Sequence, residues 1–359
     1  MTYTPDERAL IWLHACAKLD LKVCDALLEK ADSPEILFRD FEKISADVIL
    51  KGQKGVYKEG SLSNRTAQLE NFLAILDKKG CFAVTRCSED YPAQLATIDA
   101  APIVLFGRGN RELLKEKMFC IVGSRKTPLW AAKMGSRISG VLSERFAIVT
   151  GLAEGGDLAA IEGALPGGKL VCVLPCGLDM CYPPAHASLK EEIARKGLLL
   201  SERLFGEKVK PGAFHLRNRI LAGLVKGVLV LSAGARSGAL ITANYAVDYS
   251  RDVYAFPYNP GVTQGVGCNE LIKKGAFLCT DERDIFDIYG MTVRGKPVIE
   301  LSEEELRVMQ VLLEGEEMHS AAIGEKAGME IFEIVAVLTE LELKGLVVKT
   351  GGNRYRTIR

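Results

Sequence analysis

The sequence predicts an α/β chain organised around a parallel sheet that helices cover on both faces. Two observations carry this. Continuous apolar runs at 118–122, 146–150, 169–174, 197–201, 227–232, 252–256 and 276–279 alternate with helical stretches, and strands buried on both faces read as such unbroken runs. Glycine-bearing turns follow several of these runs, at the strand ends where open α/β sheets gather their ligands. At 359 residues the chain is long enough for two or three domains.

The elements follow in order. Residues 1–80 read as a small helical domain. Pro5-Asp-Glu opens an amphipathic stretch through Leu19, a second runs from Asp20 to Lys30, and further helices fit 34–51 and 63–79. The last has Ala67, Leu69, Phe72, Leu73 and Leu76 at helical spacing and ends in Lys-Lys-Gly80, a C-cap. Its lone histidine, His14, is given no role. The central domain spans 81–290. Phe82–Thr85 and Pro102–Phe106 are strands joined through Asp90-Tyr-Pro92, and helices near 128–144, 156–165, 186–195, 217–225, 239–249 and 268–274 separate the later strands.

Val293–Pro297 is a linker to a third domain over 298–359. There Ser302-Glu-Glu-Glu305 is a capping box that opens a helix. Helices at Ser320–Ala327 and Ile331–Lys344 follow, then strand Leu346–Lys349, a Gly351-Gly-Asn turn and strand Arg354–Ile358. Helix, helix-turn-helix, then β-hairpin is the winged-helix order. Its recognition-helix position carries Glu333, Glu340 and Glu342 against one lysine, which a duplex would repel, whereas Lys349, Arg354, Arg356 and Arg359 make the wing basic. Protein contact, or weak duplex contact by the wing, is therefore expected over groove reading.

Gly123-Ser124-Arg125 is the most informative local signal. It joins an apolar strand to a helix starting at about Pro128, and so sets backbone N–H groups, a hydroxyl and a guanidinium at a helix amino end, where the dipole favours negative charge. This reads as a phosphate cradle. It matches neither G-x-G-x-x-G nor the Gly-Lys-Ser/Thr ending of a Walker loop, so neither NAD nor ATP chemistry follows. Further glycine turns stand at Gly151–Asp157, Pro175–Asp179 and Gly234–Gly238. Lys208, Lys210, Arg217 and Arg219 surround Phe214, the pattern of a single-stranded nucleic-acid groove in which cations track phosphates and the ring stacks on a base. Each feature alone serves chain reversal, packing or solvation as well. Their coincidence on one rim points to a ligand.

Bulk charge is balanced, 46 basic against 46 acidic residues, but 111–290 holds 23 Lys and Arg against 18 Asp and Glu, and 294–359 holds 9 against 12. The middle is mildly basic. His186 and His215 accompany no G-x-S-x-G elbow, and Asp157 and Asp179 read as helix caps, so nucleophilic catalysis is not expected. Ten cysteines form no C-x-x-C pair, and Cys172, Cys176 and Cys181 fit no zinc module, which points to a reducing compartment and no metal. The amino terminus carries no basic-then-apolar signal and no apolar run approaches membrane length, so a cytoplasmic protein is expected.

The ordered set Tyr91-Pro92, Ile121-Val-Gly-Ser-Arg125, Thr150-Gly-Leu-Ala-x-Gly-x-Asp157, Gly177-Leu-Asp179, Tyr182-Pro-Pro184, Leu200-Ser-Glu202, Phe214-x-x-Arg-Asn-Arg-Ile220-x-Ala-Gly223, Arg236-Ser-Gly-x-Leu-Ile-Thr-Ala243 and Gly267-Cys-x-x-Leu-Ile-x-x-Gly-Ala276 closely resembles the bacterial DNA-processing family DprA, also called Smf. The resemblance is strong over about 80–280 and covers the flanking domains in layout. It implies an extended Rossmann-like doubly wound sheet between a sterile-alpha-motif-like helical domain and a winged helix. It implies sequence-independent binding of single-stranded DNA by a homodimer that loads the recombinase RecA in natural transformation, with no cofactor. By motif position, Gly123, Ser124 and Arg125 would grip a phosphate and Gly151 would shape the pocket. Lys210, Phe214, Arg217, Asn218 and Arg219 would line the strand's path, and Arg236, Ser237 and Gly238 would close the rim. Three positions depart from the family pattern: Glu154 stands where a basic residue is usual, Gly156 replaces an Ile, and Tyr258 replaces a Gly. The runner-up is a phosphoribohydrolase of the Lonely Guy type, but Pro166-Gly-Gly-Lys169 lacks that family's Gly-Thr.

Overall fold

The computed structural model describes residues 2–45, 64–291, 301–314 and 317–357. The chain divides into two units, Met1–Met291 and Thr292–Arg359. The expected linker at 293–297, the end of the expected 34–51 helix, and Ile358 and Arg359 lie outside the described residues.

In the first unit, local capping sets the amino-terminal helix Pro5–Ala15: the Thr4 hydroxyl accepts from the Glu7 N–H at 3.3 Å, and the Glu7 carboxylate accepts from the Thr4 N–H at 2.7 Å. Trp12 is fully buried, edge-on to Phe38 and Phe41 at 5.3 and 5.0 Å. The helix stops short of the expected Leu19, and Lys18 takes a left-handed φ of 53° that no helix carries. Helices Leu21–Leu28, Pro34–Arg39 and Arg65–Lys78 follow. They pack against one side of the sheet: the Tyr3 hydroxyl accepts from the Ala83 N–H at 2.9 Å, His14 Nε2 donates to the Glu202 carbonyl at 2.8 Å, and Phe72 meets Phe106 at 5.6 Å.

Among the described residues that sheet has nine strands: β1 (Phe82–Thr85), β2 (Val104–Gly109), β3 (Met118–Val122), β4 (Ala147–Thr150), β5 (Leu170–Val173), β6 (Leu198–Ser201), β7 (Gly227–Val230), β8 (Asp252–Ala255) and β9 (Phe277–Leu278). Their order is β1-β2-β6-β5-β4-β3-β7-β8-β9. β3 to β9 are mutually parallel, and β1 and β2 pair antiparallel at one edge. β3 to β7 are buried along their whole length, as their unbroken apolar runs require. The chain winds outward from β3 through β4, β5 and β6, then returns beside β3 as β7 and winds the other way. A topological switch point therefore lies beyond the carboxyl ends of β3 and β7.

The helix expected at 217–225 spans Ala213–Gly223 instead. Gly212 supplies a left-handed entry at φ 79°, so Phe214 and Arg217 sit one turn apart on the same helix rather than in a loop and a helix. Short helices Ala93–Ala96 and Arg283–Ile288, which carry too few residues for a periodic signal, were not expected.

The second unit has helices Glu303–Glu314, Ser320–Ala327 and Ile331–Leu343, and strands β10 (Met318–His319), β11 (Val347–Thr350) and β12 (Arg354–Thr357), sheet order β10-β12-β11. The two-residue β10 had no sequence signal. The capping box expected at Ser302 forms: the Ser302 N–H reaches Glu305 at 2.8 Å and the Glu305 N–H reaches the Ser302 hydroxyl at 3.2 Å. Glu305 also accepts from Lys344 Nζ at 2.6 Å, which holds its carboxyl below the usual range and ties the first helix to the end of the third. Val308, Leu312, Ile323, Ile334, Leu338, Leu341 and Val347 fill the core.

One close helix crossing supports the strands that build the switch point. Helices Leu129–Leu142 and Gly156–Ala164 approach so closely that a Cβ on Gly163 would lie 2.0 Å from the Ser136 carbonyl oxygen and 2.8 Å from the Gly140 nitrogen. Gly163→Val is expected to lower stability by about 1–3 kcal/mol, read as a fall in Tm. Gly140→Ala, whose added carbon meets the Gly163 carbonyl at an ordinary 3.4 Å, is expected to leave Tm nearly unchanged.

Candidate nucleic-acid interface

At the switch point three loops close on one another through their backbones. A Cβ on Gly156 would stand 2.3 Å from Gly123 Cα, so the turn after β3 and the helix start after β4 touch with no side chain between them. Gly156, a departure from the family pattern, is thus the residue this contact demands. The turn after β3 is also bound to the end of β7: the Ser124 N–H donates to the Ser232 carbonyl at 2.9 Å, and the Ser124 and Ser232 hydroxyls lie 2.9 Å apart. Thr127 Oγ1 joins both, 2.7 Å from Ser232 Oγ and 2.7 Å from the Ser124 carbonyl. This corrects the expectation of an open amide at Ser124. Its N–H and hydroxyl are engaged in holding the turn, and the cation beside it is what faces the ligand space.

The space enclosed is a cleft of about 570 Å³. Arg125, Lys126 and Arg236 are exposed on its rim. Phe214 forms one wall, half-buried, with the Arg125 guanidinium 5.5 Å and the Arg217 guanidinium 5.9 Å from its ring centre and Tyr182 edge-on at 5.5 Å. Arg217 itself is 6% exposed. Its Nε donates to Asn218 Oδ1 at 3.0 Å, and its Nη1 donates to the Val173 carbonyl at the end of β5. Beneath it lies Asp157, buried, with Oδ2 accepting from the Ala153 N–H at 3.2 Å. Burial pushes the Asp157 carboxyl up and the Arg217 guanidinium down, and the charge of each opposes the shift of the other.

Gly151 makes room for these two groups, since a Cβ there would lie 2.4 Å from Arg217 Nη1 and 2.4 Å from Asp157 Oδ2. It shapes the floor without facing the ligand. Asn218, also 6% exposed, donates to the Gly238 carbonyl at 3.3 Å and so fixes the Ala213–Gly223 helix against the turn after β7. Ser237 caps the helix Gly238–Asp248 through the Ala239 N–H at 3.3 Å. Nothing lies within 4 Å of a Cβ on Gly238, which leaves that side of the cleft open.

Several sequence expectations are corrected by position. Arg219 does not join the cleft. Two residues along a helix point away from each other, so Arg219 turns from Arg217 and is bound to Glu202 at 2.5 and 2.6 Å, 6% exposed. Lys210 lines a neighbouring hollow and a second cleft, not this one. Asp157 and Asp179 cap no helix: Gly155 occupies the cap before Gly156–Ala164, and Asp179 accepts from the Gly206 N–H at 2.8 Å. Glu154 is exposed and lies outside the cleft lining. Sequence reasoning missed Lys126, whose signal was its place beside Arg125, and Ser232, a plain strand-end serine with no local signal at all.

A family description, DNA recombination-mediator protein A, matches residues 82–290, and a DprA winged helix domain matches 294–353. The chain belongs to the DNA recombination-mediator protein A family. It is 42% identical over 200 residues to the DNA processing protein DprA of Streptococcus pneumoniae, covering 54% of this chain and 70% of that one. It is 32% identical over 327 residues to the protein Smf of Synechocystis sp., covering 79% and 82%. The X-ray structure of the S. pneumoniae protein superposes with a TM-score of 0.66 at 33% identity, over 80% of this chain and 98% of that one. DNA processing protein A of Helicobacter pylori, whose structure concerns a single-stranded DNA binding mode, superposes with a TM-score of 0.53 at 27% identity, over 58% and 95%. The family's fold and its role in DNA recombination therefore apply to this chain. Among the described residues no cluster of His, Cys, Asp or Glu could hold a metal ion, and no helix is long and apolar enough to cross a membrane.

The two arginines separate in their expected effects. Arg219→Ala strands Glu202 in a largely buried site and is expected to cost on the order of 3 kcal/mol of stability. Arg125→Ala, on the exposed rim, is expected to leave stability within about 0.5 kcal/mol. Urea unfolding of both variants checks the contrast.

Proposed function

We propose that this chain binds single-stranded DNA without sequence preference, protects it, and loads RecA onto it during natural transformation, acting as a homodimer in the cytoplasm and without catalytic turnover. The observation that carries this reading is the Phe214 ring with both the Arg125 and the Arg217 guanidinium against it, in a cleft that Lys126 and Arg236 also line. Three exposed cations supply the attraction to phosphates, which is independent of base identity. Arg125, exposed, can move from the ring to a phosphate and leave the ring face to a base, and stacking accepts any base because each has a π face. Arg217 stays below, fixed by the Val173 carbonyl, Asn218 and Asp157, so the wall does not collapse when Arg125 moves. Asp157 is held by Arg217 and the Ala153 N–H, an arrangement suited to structure rather than to activating water.

The test is binding of fluorescent oligo-dT and of a mixed-sequence oligonucleotide, by anisotropy at two salt concentrations. The wild type is expected to bind both equally. Arg125→Ala/Arg236→Ala is expected to weaken binding at least tenfold and to flatten the salt slope by about 1.4, the value for two lost phosphate contacts on a single strand. Unchanged affinity in that variant, or release of free base from a nucleoside monophosphate by the wild type, would overturn the reading. RecA loading is checked by the rate of RecA filament growth on strands coated with single-strand-binding protein, expected to rise with the wild type and not with this variant.

A further inference from the structure

A second cleft, about 1130 Å³, opens in the same unit between the amino-terminal helices and the Ala213–Gly223 helix. We infer that it is a second station for the same DNA strand, with Tyr245 and Tyr249 as its base-stacking surface; the inference rests on the binding reading above. Three openings share walls in sequence. Phe214 lines both the switch-point cleft and a hollow of about 490 Å³. Lys210 lines both that hollow and the second cleft, and Lys208 stands in the hollow between. A strand leaving Phe214 thus passes over two exposed lysines before it reaches the second cleft.

The walls there suit a nucleotide. Tyr245 and Tyr249, one helical turn apart, present near-parallel rings at 5.7 Å and 18°, both partly exposed, with His215 edge-on to Tyr245 at 5.4 Å. Exposed Lys18, from the loop between the first two helices, and exposed Lys22, from the second helix, line the same space. Three of its carboxylates are answered by named cations: Glu202 by Arg219, Glu207 by Arg203 at 3.8 Å, and Asp25 by Arg86 at 2.6 Å. Arg219 donates to Glu202 through Nη2 alone and keeps Nη1 without an acceptor, although the residue is 6% exposed. That nitrogen is closed off from the cleft, and the guanidinium is paired with Glu202, so the cations offered to the strand here are Lys210, Lys18 and Lys22.

The experiment compares oligo-dT of about 6 and about 20 nucleotides, lengths within and beyond one single-strand site. The wild type is expected to bind the longer strand more tightly and with a steeper salt slope. Tyr245→Ala/Tyr249→Ala is expected to lose about tenfold on the longer strand, within the range of one stacked base, and nothing on the shorter, while Tyr245→Phe/Tyr249→Phe keeps both. In the wild type, a long strand carrying 5-iododeoxyuridine near one end is expected to cross-link to Tyr245 or Tyr249 on irradiation, a readout that survives if the alanine variant fails to fold. Equal affinity for the two lengths, an alanine variant indistinguishable from wild type, or cross-links confined to the first cleft would sink the second station and leave the first intact. Failure of the wild type to bind either length would sink both.

Discussion

The hydrogen bonds between Ser124 and Ser232 are the constraint on which the rest of the binding unit depends. β3 and β7 are neighbours in the sheet but more than a hundred residues apart in the chain, and each is followed by a turn that carries a rim arginine. A sheet whose connections diverge on either side of β3 would splay those turns apart. The Ser124 N–H, the two hydroxyls and Thr127 close the gap from one side, and the Gly123–Gly156 backbone contact closes it from the other. Arg125 and Arg236 are brought to one rim by that closure. The same bonds engage the Ser124 amide and hydroxyl, which leaves the exposed side-chain cations Arg125 and Lys126 as the charged groups of this turn on the rim.

The arginines of this unit divide into two kinds. Those at turn tips are exposed and can follow a polyanion. Those on the Ala213–Gly223 helix are buried and fixed by carbonyl, amide or carboxylate partners. Desolvating a guanidinium is costly unless its charge is answered, and each face of the helix supplies an opposite charge, Asp157 with the Val173 carbonyl on one and Glu202 on the other. Buried Arg217 thereby supports Phe214 from within the helix, while Arg125 meets the same ring from an exposed turn tip. Gly151 completes the arrangement by leaving a volume that no side chain fills.

The winged-helix unit is built on different electrostatics. Its third helix turns Ile334, Leu338 and Leu341 inward and leaves Ile331, Phe332 and Val335 exposed, Phe332 at 72%, together with Glu333, Glu340 and Glu342. An apolar stripe rimmed by carboxylates is repelled by duplex phosphates and suits a protein surface better. The basic side chains Lys349, Arg354 and Arg356 lie on the hairpin instead. Composition alone had separated these two surfaces, because helix and hairpin are contiguous in sequence.

Local pattern determined most of the architecture. Apolar runs bounded by glycine located β3 to β9 to within two residues, the helical spacing before Gly80 located the helix that precedes β1, and the capping box at Ser302 located the first helix of the second unit. The sequence also made Arg125, Phe214 and Arg236 candidates, since a turn-tip cation and an aromatic among cations keep their chemistry wherever the chain leads. Only the tertiary structure decided which candidates share a cleft. A helical start at Ala213 in place of 217 set Phe214 over Arg217, and the rotation between alternate helical residues sent Arg219 to Glu202 on the far side. Helix phase and the crossing of distant strands are properties of packed backbone, which is why Ser232, silent in the sequence, and Asp157, read there as a helix cap, are structural partners of the site.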